Sequence, residues 1–403
     1  MQRIAITGIG IVSPIGNDTE LFEAALRLGR SGVGPNDWHD TEGYGSHRIG
    51  RVRDFTPPAA AGRFERRHLS TVDQYALAAT AEALGRAGLD AEARRSLRIG
   101  VVFGSGGSVE NVENYVFSAL AERPLRPSTL LPLSPDNAGG AIAAHYGLRG
   151  PRSSIMTACS SGAAAVGYGA DLLREGHADV MLVGGMEALS YVTLSGFNAL
   201  GALSPTVNRP FDLNRDGIVI GEAAAVLVLE PLERAKARGA HVWAEFVSYG
   251  LAADGNHITA PSPEGDGMAR AMRTALRLGG LAPEAIAYIN AHGTGTALND
   301  ASETAAIRRT FGAHADRLCL SSIKPMIGHT LSAAGAIEAA ATVLSLAGQF
   351  APPTLNYETP DPACDLDVVP NVARNLDMEY AMSNSLAFGG NNASLIFRRA
   401  EAA

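Results

Sequence analysis

Cys159 stands in Thr157-Ala-Cys-Ser-Ser-Gly162, between a β-like stretch and an alanine-rich helical run. That setting suits a nucleophile. A thiol at a helix N-terminus faces the positive end of the dipole, so its thiolate is favoured and its pKa falls. Unpaired N–H groups of the same first turn can also stabilise an oxyanion on an acyl carbon under attack. The competing reading is a buried structural cysteine, since free cysteine is among the most buried residue types. Cys319, in the apolar run Leu318-Cys-Leu320, and Cys364 take that blander reading.

Two imidazoles stand in comparable turns. Asn290-Ala-His292-Gly-Thr294-Gly-Thr296 ends a strand on a histidine in a glycine- and threonine-rich loop that can open on a cleft. Ser322-Ile-Lys324-Pro-Met-Ile-Gly-His329 sets a second histidine and a lysine at another helix start. A lone histidine would usually be structural, but an imidazole in such a turn can project into a cleft. Lys324 stands out because Lys236 is the other lysine of a chain rich in arginine, and Lys236 reads as a solvated helix face. A lysine offers a compact point charge on a flexible stem. In Ala387-Phe388-Gly389-Gly390-Asn391-Asn392 the glycines suit a turn that brings backbone N–H groups to a ligand. The remaining histidines read as structural, His257 in Asp254-Gly-Asn-His least firmly.

These motifs need a scaffold of buried strands and close-packed helices. Short β-branched runs alternate with Ala- and Leu-rich stretches, the pattern of an α/β fold. Strands are expected at 4–7, 99–103, 180–183, 224–229, 287–290 and 393–397, and helices at 19–28, 71–87, 161–175, 267–278, 301–311 and 332–347. The halves rhyme: Arg98-Ile-Gly-Val-Val-Phe-Gly-Ser-Gly matches Ala287-Tyr-Ile-Asn-Ala-His-Gly-Thr-Gly. The segment from Ser153 into an Ala-rich helix is likewise echoed from Ser321. These echoes imply an internal duplication divided near Ala240, giving halves 1–240 and 241–403 that share one core.

With 403 residues, 46% of them hydrophobic and 18% charged, the chain has the means to bury a large core. Its charge of −8 is dispersed and no Lys/Arg run is present, which argues against nucleic-acid and membrane partners. No signal peptide is read at the N-terminus, and no apolar stretch reads as long enough to span a bilayer. Three scattered cysteines make neither a disulfide framework nor a metal site, and a reducing cytoplasm is expected. Gly8-Ile-Gly10 lacks the third glycine of a dinucleotide loop, Ser13 standing there instead.

Taken together, the motifs around Cys159, His292, His329 and Phe388 resemble the β-ketoacyl-acyl carrier protein synthases, the elongating condensing enzymes of the thiolase superfamily. The likeness extends to Arg209-Pro-Phe-Asp212, Arg215-Asp-Gly217, Gly221-Glu222, Asp300 and Glu303. It implies a thiolase-like fold of duplicated βαβαβ halves in five layers, αβαβα. It also implies a decarboxylative Claisen condensation without cofactor or metal. Cys159 would carry the acyl group, its oxyanion held by the N–H groups of Cys159 and Phe388. His292 and His329 would hold the malonyl-derived enolate through Nε2, and Lys324, partnered by Glu338, would orient them. Thr294, Thr296, Phe197 and Gly389 are the implied substrate contacts. The implied partners are acyl- and malonyl-loaded carrier protein and a second copy of the chain across a sheet edge, with a heterodimer with a chain-length-factor-like partner as the alternative. Carrier proteins being acidic, Arg63, Arg66 and Arg67, with Arg123 and Arg126, form the expected docking patch.

Two positions depart from the family pattern. Ala387 replaces the first glycine of the gate loop and is expected to stiffen it, since alanine reaches positive φ less freely. Gly107 in Gly104-Ser-Gly-Gly-Ser108 replaces a bulky residue and predicts an acyl tunnel open at that point, which suits a polyketide or polyene chain as well as a fatty acid. A thiolase using coenzyme A would need a late glycine-rich cysteine loop, which neither Cys319 nor Cys364 supplies. A non-catalytic chain-length factor would usually lack the nucleophile.

Overall fold

The computed structural model describes residues 2–57 and 69–401. Ten strands make one hydrogen-bonded sheet: β1 (Ile4–Val12), β2 (Ile99–Ser105), β3 (Arg152–Ile155), β4 (Val180–Glu187), β5 (Ala223–Pro231), β6 (Ala244–Ala253), β7 (Ile286–Asn290), β8 (Cys319–Ser321), β9 (Tyr380–Ala387) and β10 (Asn391–Arg399). Their spatial order is β8-β7-β9-β10-β6-β1-β5-β4-β2-β3. The main helices are α1 (Thr19–Leu28), α2 (Thr71–Arg86), α3 (Val109–Leu120), α4 (Ser161–Arg174), α5 (Tyr191–Ala199), α6 (Asp266–Gly279), α7 (Ala297–Phe311) and α8 (Ala334–Gly348).

Each strand of the first half has a counterpart five places later. Between β1 and β5 the pairing is antiparallel, as between β6 and β10; β2 runs parallel to β3 and β4, as β7 does to β8 and β9. The two sets join where Ile4, Ala5 and Ile6 pair antiparallel with Phe246, Glu245 and Ala244. β1, β2 and β4 are buried at every position, which is why they read as unbroken apolar runs rather than alternating ones.

Helices α4 and α8 lie between the two half-sheets, α2 covers the outside of the first, and α6 with α7 covers the outside of the second. The layers therefore run αβαβα, as the resemblance implied. α2 starts on a capping box in which Ser70 and Asp73 satisfy each other's backbone N–H groups. α6 turns Met268, Ala271, Met272 and Ala275 inward and keeps its arginines outside. Contrary to the expectation that no segment reaches bilayer length, Leu331–Gly348 has 18 residues of mean hydropathy 1.5. It is 83% buried, and its uniform apolarity belongs to a helix walled in by two sheets.

The central helices touch at glycines. A Cβ on Gly162 of α4 would lie 2.7 Å from the Ala336 nitrogen, and one on Gly335 of α8 would lie 2.5 Å from the Ala163 nitrogen. Nothing larger than hydrogen fits at either place. This crossing brings the carboxyl ends of β3, β7, β8 and β9 together, and the turn motifs leave from those ends, where open α/β sheets bind ligands.

Candidate active site

Cys159 comes after β3 on a sharp turn in which Ala158 takes φ +49°. Hydrogen bonds hold that strained residue: Thr157 N–H donates to Ser161 Oγ at 2.9 Å, and Ser161 Oγ donates to the Ala158 carbonyl at 2.6 Å. The turn aims the thiol at a cavity of about 420 Å³, into which His292 and His329 also open. The two imidazole rings stand 5.3 Å apart at 81°.

His292 ends the buried strand β7, and its turn is fixed from beneath. Glu303 of α7 accepts the N–H groups of His292 at 2.9 Å and Gly293 at 2.8 Å. Asp300 accepts those of Phe211 and Gly295, and Asn208 donates to the Thr294 carbonyl. The Asp300 and Glu303 singled out by sequence are thus backbone clamps. Arg215 lines the cavity and ties down the same turn by donating to the carbonyls of Thr296 and Ala297.

Lys324 is buried with Glu338, and its ammonium donates to that carboxylate and to the His292 backbone carbonyl. It also stands 3.3 Å from His292 Nδ1. The Leu331 N–H points at His329 Nδ1, likewise at 3.3 Å. With each Nδ1 facing a donor, each ring carries its proton on Nε2. Burial holds both imidazoles well below their ordinary pKa, reinforced by Lys324 in each case and by His329 on His292. Both are neutral donors.

The expectation of a thiol acidified by the helix is not met in the free site. Burial pushes Cys159 up to about 12; Lys324 pulls it down, while Glu338 and Glu187 push it further up. A low-dielectric site penalises the thiolate more than the nearby ammonium favours it. Cys159 rests as a neutral thiol.

Of the expected substrate contacts, Thr294, Thr296, Phe197, Ala387 and Phe388 line the same cavity. Phe388 stacks on Phe197 of α5, with centroids 5.7 Å apart. Ala387 takes φ −141°, an extended shape that any residue holds, and the positive φ values fall on Gly389 (+79°) and Gly390 (+70°). Gly389 is not itself a lining residue; its N–H donates to the Ile258 carbonyl and so ties the gate to the loop after β6.

Gly107 needs correction. It does not line this cavity, its φ is +80°, and a Cβ there would lie 2.3 Å from the Leu133 carbonyl oxygen. The space beside it is filled by backbone, so the glycine meets a conformational demand instead of opening a tunnel. Arg123 and Arg126 are exposed, whereas Arg63, Arg66 and Arg67 lie outside the described residues.

Sequence reading missed part of the wall: Asp254, Thr259, Ala260 and Pro261 from the loop after β6, with Leu200 and Leu298. The available signal was Asp254-Gly-Asn-His257. His257 is exposed, and its Nδ1 accepts the N–H groups of Thr259 and Ala260, shaping the loop. Asp254 accepts from Asn392 Nδ2 at 2.7 Å.

Known proteins are similar to this chain along its whole length. The β-ketoacyl synthase N-terminal domain model matches residues 1–235, and the C-terminal domain model matches residues 243–358. A 3-oxoacyl-[acyl-carrier-protein] synthase 2 of Staphylococcus aureus (strain COL) is 43% identical over 411 residues, covering 100% of this chain and 99% of that protein. The solved ishigamide ketosynthase/chain length factor superposes with a TM-score of 0.94 at 38% identity, over 99% of this chain and 100% of that one. A ketosynthase bound to the hexaketide, in complex with its type II polyketide acyl-carrier protein, gives 0.91 at 33% identity, over 99% and 100%. Both halves are matched and the relatives align from end to end, so this protein belongs to the β-ketoacyl synthase family.

Proposed function

We propose that Cys159, His292 and His329 carry out a decarboxylative condensation of an acyl thioester with malonyl-acyl carrier protein. The chain works as a β-ketoacyl-acyl carrier protein synthase, an acyltransferase of fatty-acid or polyketide synthesis. The observation that carries the reading is one cavity shared by a thiol and two neutral imidazoles, each with its proton on Nε2.

Cys159 sulfur adds to the thioester carbonyl, and its proton leaves with the departing carrier thiol. Backbone N–H groups of Cys159 and Phe388 serve the oxyanion in this scheme. Malonyl-carrier protein then occupies the emptied site, with Thr294 and Thr296 on its arm and Gly389 in the gate. The bond to its carboxylate breaks, releasing carbon dioxide, and the enolate oxygen is held by the two Nε2–H groups. The enolate carbon attacks acyl-Cys159; a carbon–carbon bond forms, the carbon–sulfur bond breaks, and the thiolate returns. Lys324 touches neither substrate in this scheme and acts as a positioning residue for His292.

The halves 1–240 and 241–403 act as two thiolase-like units, the first supplying the nucleophile and the second the imidazoles. The working form is a cytoplasmic homodimer joined at the free edge of β3, with a chain-length-factor-like partner as the alternative occupant. Incubation with a panel of acyl-carrier proteins and malonyl-carrier protein, followed by product mass, tests the reading. Cys159→Ala should abolish acyl loading and condensation; full condensation by that variant would overturn it.

A further inference from the structure

The same sharp turn precedes both central helices. Ala158, before Cys159, has φ +49°, and Leu331, before Ser332, has φ +47°. Non-glycine residues rarely hold that region. Because Gly162 and Gly335 cross at equivalent places, Ser332 occupies in the second half the position of Cys159 in the first.

Ser332 is buried, and its Oγ lies 2.7 Å from the Met186 carbonyl oxygen and 2.6 Å from Oε2 of Glu187. A hydroxyl has one proton to give, and a backbone carbonyl only accepts. Both contacts are hydrogen bonds when Ser332 donates to Met186 and a proton on Glu187 is donated to Ser332.

Burial favours that proton, and against it the Ser332 N–H donates to the same Oε2 at 3.3 Å. Glu187 ends β4 and is buried, and among the described residues Glu110 of α3 is the charged group acting on it. Glu222, just ahead of β5, accepts the N–H of Leu189 close by. Glu187 acts electrostatically on the Cys159 thiol in the turn before α4, as Lys324 and Glu338 do.

We propose that Glu187 is a positioning residue that works as a neutral carboxylic acid: its proton holds Ser332 against β4, and its lack of charge spares the Cys159 thiolate a second carboxylate's repulsion beside that of Glu338. This rests on Cys159 as the nucleophile. Burial, offset in part by the hydrogen bonds of Ser332 and reinforced by Glu110, pushes Glu187 up to about 7, so the proton is lost in the range where thiol chemistry is measured. Once ionised, Glu187 raises the Cys159 pKa by like-charge repulsion. A half-unit rise lowers the thiolate fraction at fixed pH by about threefold.

The test is iodoacetamide alkylation of Cys159 in the full chain, read on the Cys159 peptide by mass spectrometry from about pH 6 to about pH 9. The ratio of the Glu187→Gln rate to the wild-type rate should climb with pH by about threefold or more. A ratio that stays flat, at any value, overturns the proposal and leaves the nucleophile assignment standing. No alkylation of wild-type Cys159 overturns both. Should Glu187→Gln fail to fold, Ser332→Ala decides through the pH at which the rise of reactivity with pH slackens. That break moves to lower pH if Glu187 donates to Ser332; a move to higher pH means that Glu187 accepts, and overturns the proposal.

Discussion

The Lys324 ammonium reaches His292 twice, donating to its backbone carbonyl and standing 3.3 Å from Nδ1 of its ring. One charge therefore fixes both the backbone and the tautomer of the residue, and Glu338 balances that charge in a site closed to water. Removing one partner strands the other. Lys324→Met should cost about 3–5 kcal/mol in urea unfolding, because the Glu338 carboxylate stays buried without compensation. The double variant Lys324→Met/Glu338→Leu should recover most of that loss. A double variant no more stable than the single one would contradict the pairing.

The depressed imidazoles set the acid limit of the decarboxylation step. Each gains its proton only below the ordinary histidine range, so malonyl decarboxylation by Cys159→Ala should hold its rate through about pH 6.5 and fall well beneath it. Lys324 is one cause of the depression, and in Lys324→Met the acid limb should move to higher pH. For stability the sign comes from proton counts: below about pH 6.5 the unfolded chain binds protons that the folded one does not. Stability therefore declines as pH falls through that range, and His329→Asn should flatten the slope in pH-dependent urea unfolding.

Gate mobility gives a kinetic test. Ala387 is at ease in the extended shape it holds, and its cost arises only if gate motion drives it toward positive φ. Ala387→Gly should raise the single-turnover rate of acyl loading by about twofold to fivefold, matching the 0.5–1 kcal/mol by which glycine and alanine differ. Equal rates would place the hinge wholly at Gly389 and Gly390.

Gly107→Ala separates a backbone role from a pocket role. The added methyl meets the Leu133 carbonyl, so a stability loss of about 1–3 kcal/mol is expected with the product length profile unchanged. A stable variant that makes shorter products would restore the tunnel reading.

Charge reversal at the exposed Arg123 and Arg126 should raise KM for the carrier-borne substrate severalfold while leaving iodoacetamide alkylation of Cys159 unaltered. Unchanged KM would remove those two arginines from the docking surface.

Much of the fold and site was legible from residues alone. The helix read at 19–28 is α1 to the residue, because Asp18 caps its start and Gly29 ends it in the left-handed region. The turns that carry Cys159, His292 and His329 were legible because glycine, threonine and proline mark the strand ends. β9 was not: Tyr380-Ala-Met-Ser-Asn-Ser-Leu-Ala is a buried strand without β-branched residues, and only its neighbours β7 and β10 make it one. The sequence echo between Ser153 and Ser321 marked the right strands but misaligned the turns leading into the two central helices, since the second half inserts the helical turn Lys324–Ile327 before α8. That insertion is what carries lysine and histidine into the site. Gly107 shows a further limit: composition cannot tell a glycine that leaves space from one that a backbone contact requires.

The reciprocal crossing of Gly162 and Gly335 means that the thiol and the imidazoles are registered by main-chain contact between the halves. Such a seam has no slack to absorb a mismatched partner. Chimaeras that graft the first half of one relative onto the second half of another inherit the seam along with the chemistry, and the two faces of α4 and α8 must be transplanted as a matched set.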